Sequence, residues 1–258
     1  MIFFAVFLCC IDFYCLYQHN LKMKLQKLYS YTRQAIQDFD MIEDGDKIAV
    51  GISGGKDSLA LLYALAGLRT FYPKKFQIIA VTVDLGFGEF NLEGIKKLCQ
   101  ELEVEYYVLK TEIADILRQK VTKGTYCALC AKLRKGALNS FAKEKGCNKV
   151  AYAHHKDDMV ETMMLSLVYE GQFFSFAPVM YYKEADITVI RPLIYASENE
   201  VKTFRDEYSL PVVKNPCPND GITRREYIKK LVKQIQKENP GAKDRMFNAI
   251  IKGKIYEY

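Results

Sequence analysis

The segment SGGKDS, residues 53–58, combines residue types that can hold a phosphate group. Its two glycines carry no side chain, so the backbone can approach an anion closely. If a helix starts here, its free N–H groups and the positive end of its dipole point at the same anion. The two serines add hydroxyl groups, and Lys56 adds a positive charge. We call this segment the glycine loop and interpret it as a phosphate site.

The glycine loop differs from a Walker loop, which has four residues between its glycines and then Gly-Lys-Ser/Thr. Here Asp57 separates Lys56 from Ser58, and only three residues lie between Gly51 and Gly55. The alternative interpretation is an ordinary glycine-rich turn with a capping serine. A strand pattern before the loop and a helix pattern after it favour the phosphate site.

A second cluster, AHHKDD at residues 153–158, is followed by Glu161 and Thr162. Its carboxylates could hold Mg²⁺ or orient a substrate beside the phosphates. Acidic residues also stabilise the first turn of a helix, so capping is the alternative for Asp157 and Asp158. The two histidines contact a ligand or pack in the core, and the sequence leaves both open.

Cys127 and Cys130 form a Cys-x-x-Cys pair, a spacing that suits one metal or a redox couple. Disulfide-stapled domains are shorter and denser in cysteine, so we interpret the eight cysteines as reduced thiols. A metal needs further ligands. Cys217 lies between two prolines that forbid regular structure. Cys99 and Cys147 fall where a helix would bury them, which favours a packing role.

Strands and helices must bring these clusters together in the folded chain. Apolar runs of strand length alternate with helical patterns, which predicts parallel βαβ units and an α/β fold with a doubly wound, mostly parallel, Rossmann-like sheet. Strands are predicted at 47–52, 78–83, 105–109, 149–153 and 187–190, and helices at 56–68, 92–102, 130–145 and 157–169. Ligands of such sheets bind at the carboxyl ends of the strands. The glycine loop, Asp84 and the second cluster all fall there.

The composition of the chain limits the class of protein it can be. The chain has 258 residues, of which 50% are apolar, enough for one sizeable core. Charges of both signs are mixed along it, which argues against bulk disorder. The net charge of +6 suits a polyanionic partner without proving one.

The first 17 residues are the apolar outlier. They are too short, and too interrupted by Asp12, for a good membrane-spanning helix. They also lack the basic start and the cleavage site of a signal peptide. We expect residues 1–22 to be a non-native or disordered extension ahead of Met23, and residues 23–258 to form one domain with a C-terminal helical tail. A membrane anchor is the alternative.

The glycine loop resembles the PP-loop of the ATP pyrophosphatase family. The string His154-His155-x-Asp157-Asp158, followed by Glu-Thr, is similar to the signature of its tRNA-modifying members. The resemblance implies that ATP is bound through its phosphates and attacked at the α-phosphate. Pyrophosphate would leave, and the substrate would be adenylated.

The order of motifs is similar to that of the tRNA 2-thiocytidine synthetase family, from about residue 24 to residue 251. A Cys-x-x-Cys pair follows the glycine loop, then the His-His-x-Asp-Asp string, then Arg191-Pro192-Leu193, then one late cysteine. The resemblance implies a [4Fe–4S] cluster held by Cys127, Cys130 and Cys217. The late cysteine, often a doublet in the family, is single here. Three thiolates leave one iron open to bind sulfide.

The resemblance also implies roles for individual residues. Catalytic roles fall to Lys56, Asp57, Asp158 and Arg134. Nucleotide binding falls to Ser53, Gly54, Gly55, Lys56, Asp57, Ser58, Asp84 and His154. Mg²⁺ would be held by Asp57 or Asp158. Arg191 is expected to face an anion or a carboxylate.

Two basic segments are candidates for RNA contact. Arg134, with Lys132 and Lys135, lies on the helix after the cysteine pair and could meet RNA phosphate, the nucleotide or only solvent. Residues 223–237 carry six Lys or Arg and one Glu. Their apolar residues recur at helical spacing, so we expect one face to pack on the domain and the other to meet tRNA phosphates. These apolar residues are Tyr227, Ile228, Leu231, Val232 and Ile235. Simple solubility is the alternative.

The expected activity is therefore a cytoplasmic tRNA sulfurtransferase that uses ATP, Mg²⁺ and a [4Fe–4S] cluster. It would adenylate C2 of a cytidine, replace the oxygen with sulfur, and release AMP and pyrophosphate. A cysteine desulfurase or free sulfide would supply the sulfur, no membrane is involved, and a homodimer is left open. The alternatives are a uridine 2-thiolase, a lysidine synthetase and a non-catalytic nucleotide sensor. Uridine thiolases usually carry extra Cys-x-x-Cys knuckles, which this chain lacks.

Overall fold

The structure is a computed structural model that describes residues 25–88, 90–120, 127–214, 216–217 and 224–256. The predicted N-terminal extension, residues 1–22, lies outside the described residues. Within those ranges, no helix combines the length and the apolar character needed to cross a membrane.

Six strands form one sheet in the order β3-β2-β1-β4-β6-β5. They are β1 Asp46–Gly51, β2 Phe76–Asp84, β3 Glu105–Lys110, β4 Lys149–Ala151, β5 Val179–Tyr182 and β6 Ile187–Ile190. Every neighbouring pair is parallel except β5 with β6. This confirms the predicted mostly parallel α/β sheet. The chain order reverses between β1 and β4, which is the switch point at which such sheets bind ligands.

Helices connect the strands and cover both faces of the sheet. They are α1 at 25–38, α2 Lys56–Phe71, α3 Glu93–Glu101, α4 Ile113–Lys120, α5 Cys127–Glu144, α6 Lys156–Glu170, α7 Glu198–Glu207, α8 Arg224–Glu238 and α9 Ala242–Lys252.

Successive residues of the central strands enter two different cores. Ile48 and Val50 of β1 pack in the larger core with α2, α6 and α7, whereas Ala49 between them packs in the smaller core under α5. Side chains alternate in direction along a strand, so a strand covered on both faces is apolar throughout. This is why the central strands read as continuous apolar runs in the sequence.

The five strands expected from the sequence are all present, with ends shifted by two residues or fewer. The prediction missed β5, an edge strand that contains the exposed Tyr181. It also placed the start of α5 at Cys130, whereas the helix begins at Cys127. The cysteine pair therefore occupies the first turn of a helix.

The basic segment after residue 223 forms α8, as expected, and packs on α6 and α9. Ile228 and Val232 are buried. Tyr227, expected on the packed face, is instead 58% exposed. Tyr227 therefore lies just outside the face of α8 that packs on the core.

Leu62 lies in the middle of α2 and is fully buried in the larger core. We expect Leu62→Ala to lower the free energy of unfolding by about 2–5 kcal/mol, because it removes buried apolar surface and leaves a cavity. Leu167→Ala on α6 is the matched control, since Leu167 is 37% exposed and surface changes cost about 0.5 kcal/mol or less. Urea denaturation of both variants measures the difference. Equal losses would contradict the assigned core.

Candidate active site

Three predicted clusters meet at the carboxyl edge of the sheet. The glycine loop follows β1, Asp84 ends β2, and the His154–Asp158 segment follows β4. Because β1 pairs in parallel with both β2 and β4, these three ends lie side by side. The sequence prediction that they share a location is confirmed.

The glycine loop is held in a tight backbone conformation. Gly54 has a φ of +82°, and a Cβ added there would lie 3.0 Å from the Phe90 ring and 3.5 Å from the Val213 side chain. The Val213 N–H donates to the Gly54 carbonyl at 2.9 Å. Glycine is therefore required at residue 54, and the segment leading to Cys217 is anchored on the loop.

The two serines play different parts in the glycine loop. Ser58 is buried, accepts from the Ser53 N–H at 3.2 Å and donates to the Gly55 carbonyl at 2.9 Å. Its hydroxyl therefore shapes the loop, although the sequence suggested a donor for the ligand. Gly55, the residue before α2, provides no side chain to cap the helix. The first N–H groups of α2 are therefore suited to bind an anion.

Lys56 and Asp57 open α2 and face the second cluster. The Lys56 ammonium lies 2.9 Å from Asp57 Oδ2 and 3.6 Å from Glu198 Oε1. The other Asp57 oxygen, Oδ1, is buried with no hydrogen-bond partner and lies 3.6 Å from His155 Nε2. A buried carboxylate oxygen without a partner costs free energy unless a ligand completes it. Such an oxygen beside a phosphate loop fits a Mg²⁺ ligand.

The two aspartates of the second cluster are engaged inside the protein. Asp158 Oδ2 accepts from the His155 N–H at 3.0 Å, and His155 Nδ1 accepts from the Asp158 N–H at 3.4 Å, which together cap α6. The other Asp158 oxygen lies 3.3 Å from Arg225. Asp157 binds Lys243 and accepts from the Glu198 N–H at 2.8 Å. Although burial acts to raise it, these bonds hold the pKa of Asp157 below its ordinary value.

His154 lies in an aromatic and cationic environment. Its ring centroid is 4.8 Å from that of Phe176, and its Nδ1 accepts from Arg191 Nε at 3.2 Å. Burial, together with the charge of Arg191, holds the pKa of His154 well below its usual range, so the ring is neutral. The buried hydroxyl of Tyr152, also near Arg191, has no hydrogen-bond partner.

Arg191 does not face a carboxylate among the described residues, so of the two partners expected from the sequence only an anion stays a prediction. Its guanidinium donates to the Ala177 carbonyl and to the His154 ring, and it lies 4.9 Å from the Phe176 ring centroid. The neutral acceptors arise because β5 and the loop before it fold over the end of β6. The expectation could not include that loop because β5 was not predicted.

Among the three candidate cluster cysteines, both Cys127 and Cys217 lie close enough to Cys130 to affect its charge. Burial raises the pKa of the Cys130 thiol, nearby Arg134 lowers it, and the proximity of Cys217 and Cys127 raises it again. Cys127 is exposed, and the other two are half-buried. Among the described residues, no three His, Cys, Asp or Glu side chains are close enough to form a ready metal site. The donor set itself, three thiols of which none is in a disulfide, fits iron.

The other two described cysteines are core residues, as the sequence suggested. Cys99 is 1% exposed and Cys147 is 2% exposed. Burial raises the pKa of Cys99 to about 11, which makes its thiolate form rare at neutral pH.

The two basic segments expose fewer positively charged side chains than the sequence predicted. Arg134 and Lys132 are exposed, but Lys135 lies 3.5 Å from the Tyr182 ring centroid. On α8, Arg225 and Lys229 turn inward to Asp158 and Glu198. The outward charge of α8 is carried by Arg224, Lys230, Lys233 and Lys237.

Sequence reasoning missed Glu198, the first residue of α7. It lies beside Lys56, with Lys202 and Lys229 around it. The available signal was the helix start Ser197-x-x-Glu200, a capping box that the structure contains. That signal locates α7 but does not show that α7 begins beside the glycine loop.

Comparison with known proteins agrees with this site. The model of the PP-loop domain family matches residues 18–235. A tRNA-cytidine(32) 2-sulfurtransferase of Geobacter sulfurreducens is 39% identical over 231 residues, which cover 88% of this chain and 90% of the relative. The enzyme of the same name from Marinobacter nauticus is 36% identical and covers 91% and 80%. The chain belongs to the tRNA 2-thiocytidine synthetase family of PP-loop proteins. The resemblance found in the sequence is thereby confirmed.

A solved structure has the same fold. It is the U34-tRNA thiolase NcsA of Methanococcus maripaludis with its [4Fe–4S] cluster, with a TM-score of 0.76 and 24% identity. The match covers 92% of this chain and 82% of that one. At 24% identity this similarity shows that the two proteins share a fold.

Glu161 provides a pH-dependent test of the site. It is 6% exposed, and burial, with the charges of Asp158 and Asp157, raises its pKa to about 7 in spite of Lys229 and Arg225 nearby. The folded protein therefore binds this proton more tightly than the unfolded chain does. The stability that the protonated form provides is lost as the pH rises from about 4.5 through about 7.

We expect Glu161→Gln to be more stable than the parent protein at pH 8, by at most about 3 kcal/mol. The advantage should shrink toward zero at pH 4 to 4.5, where Glu161 is protonated in the folded state and half or more protonated in the unfolded one. Urea denaturation at the two pH values measures it. Glu170→Gln, at the exposed end of the same helix, is the control. An advantage that is the same at both pH values would contradict the assigned protonation.

Proposed function

We propose that this protein is an ATP-dependent tRNA sulfurtransferase that converts cytidine 32 to 2-thiocytidine. Its relatives carry that activity in their names and match nearly the whole chain. The observation that carries the proposal is the bond between the Val213 N–H and the Gly54 carbonyl. It links the glycine loop to the segment that bears Cys217, so that activation and sulfur transfer share one edge of the sheet.

In the first step, the C2 oxygen of the cytosine attacks the α-phosphorus of ATP. The bond from that phosphorus to the bridging oxygen breaks, and pyrophosphate leaves. The N–H groups at the start of α2 and the Lys56 ammonium stabilise the charge that develops on the phosphates. Mg²⁺, when bound, neutralises part of the same charge. Asp57 is the better ligand for it, because its Oδ1 lacks a partner whereas Asp158 is bonded to His155 and Arg225.

In the second step, sulfur attacks C2 and the bond from C2 to oxygen breaks, which releases AMP. A [4Fe–4S] cluster, when bound, would supply the sulfur through the one iron that the protein does not ligate. Cys127, Cys130 and Cys217 would hold it. Arg134, which lies near both Cys130 and His154, would stabilise the phosphate of the departing AMP.

The partners follow from this chemistry. The tRNA would be bound through its phosphates by the outward-facing lysines of α8 and by Lys132 of α5. A cysteine desulfurase or free sulfide would supply sulfur. The protein would act in the cytoplasm as one domain from about residue 23, and a homodimer remains open.

A test of the function is mass spectrometry of tRNA nucleosides from a strain that lacks the gene. We expect 2-thiocytidine to disappear from the nucleosides and to return with the wild-type gene. Loss of 2-thiouridine or lysidine instead would favour another PP-loop enzyme, and no change in any nucleoside would favour a nucleotide sensor.

In the same strain, Lys56→Ala should fail to restore the modification. An ammonium on transferring phosphates is worth a hundredfold in rate or more, about 3 kcal/mol. Lys74→Ala is the control, because Lys74 pairs with Glu43 beside the loop that precedes β1, away from the site. Purified Lys56→Ala within about threefold of wild-type turnover would remove Lys56 from the mechanism.

The cysteine assignment has its own test. After anaerobic reconstitution, we expect Cys127→Ala, Cys130→Ala and Cys217→Ala each to lose the cluster, because each removes one of three thiolates. Cys99→Ala and Cys147→Ala are the matched controls, since both thiols are buried in the cores. Iron content and visible absorption measure the outcome. Zinc in place of iron, or a full cluster in Cys217→Ala, would overturn the assignment. Thiolation without a cluster would favour a persulfide relay.

A further inference from the structure

Three lysines from three helices converge on one carboxylate oxygen beside the glycine loop. Glu198 Oε1 lies 2.7 Å from Lys229, 3.1 Å from Lys202 and 3.6 Å from Lys56. Lys56 is the first residue of α2, and Lys202 and Lys229 come from α7 and α8. All three ammonium groups therefore lie within 3.6 Å of a single atom.

The carboxylate at the centre is held firmly. Glu198 is 8% exposed, and its backbone N–H donates to Asp157 at 2.8 Å. The neighbouring Ser197 caps the helix through Glu200. Although burial acts to raise it, the bonds from Lys229 and Lys202 and the charge of Lys56 lower the pKa of Glu198 to about 2. The group is an anion at any physiological pH.

One carboxylate cannot balance three ammonium groups. Lys56 has a second partner in Asp57, and Glu161 and Glu226 act on Lys229 from a longer distance, but Glu198 is the one carboxylate in ion-pair contact with Lys202 and Lys229 among the described residues. This excess positive charge lies next to the start of α2, where no side chain caps the free N–H groups. Ammonium groups brought together at such a cost are expected where a polyanion completes the charge balance.

We propose that Lys202 and Lys229, aligned with Lys56 by Glu198, bind the two outer phosphates of ATP and retain them as inorganic pyrophosphate. The proposal rests on the use of ATP in the proposed function and extends its phosphate site beyond the glycine loop. Lys202 and Lys229 contact the leaving group, whereas Glu198 is a positioning residue that keeps the ammonium groups together between turnovers.

The experiment is isothermal titration of the full chain with inorganic pyrophosphate and, separately, with AMP. The variants are Lys202→Met, Lys229→Met and the double variant, which keep the apolar stem and remove the charge. Lys74→Met is the matched control, because Lys74 pairs with Glu43 at the opposite end of the sheet. We expect the double variant to weaken pyrophosphate binding at least tenfold and AMP binding less than twofold, with the control unchanged.

Pyrophosphate binding within twofold of wild type in the double variant would overturn the proposal, as would equal losses for pyrophosphate and AMP. Lys202→Met alone keeps the test valid if the double variant folds poorly, because Lys202 is 40% exposed. A second readout is Glu198→Gln, in which added pyrophosphate should raise the melting temperature more than in wild type, because it relieves repulsion among the lysines. A smaller rise would overturn the positioning role. Wild-type protein that binds neither ligand would overturn the proposed function as well.

Discussion

The parallel pairing of β1 with β2 on one side and β4 on the other is the constraint on which the site depends. It brings three strand ends to one edge and opens the switch point between β1 and β4. Gly51 ends β1, and a Cβ there would lie 3.0 Å from Leu138 of α5 and 3.7 Å from the Tyr152 ring. The small residue lets α5, with its cysteine pair, approach the glycine loop.

Charged side chains then connect the helices to that edge. Asp157 reaches α9 and α7, Asp158 reaches α8, and Glu198 joins α7, α8 and the glycine loop. Buried ion pairs of this kind contribute little net stability, because desolvation offsets most of the attraction. Their effect is geometric. The C-terminal helices are fixed against the nucleotide edge, so two basic residues of α8 take part in the site and the rest face solvent.

The cysteines illustrate how environment separates residues of one type. Cys99 and Cys147 are enclosed by apolar side chains, and burial raises the pKa of both thiols. Cys127 and Cys130 occupy the first turn of α5, where Cys127 is exposed and Cys130 is half-buried. Cys217 reaches them on a segment tied to Gly54 by a backbone bond. The three candidate cluster cysteines thus differ from the core cysteines in position as well as in spacing.

The sequence by itself determined the fold class and the central strands with the polar clusters that follow them. It also determined the glycine loop and the cysteine pair. These features depend on local chemistry: apolar runs, glycines at a strand end, and thiols within one helical turn. Tertiary structure alone decided the partners of Arg191, the inward turn of Arg225 and Lys229, and the place of Glu198 beside Lys56. Each of these pairs joins residues far apart in the chain. Such pairs form only when helices pack on the sheet, and helical spacing records which residues share a face but not which helix they meet.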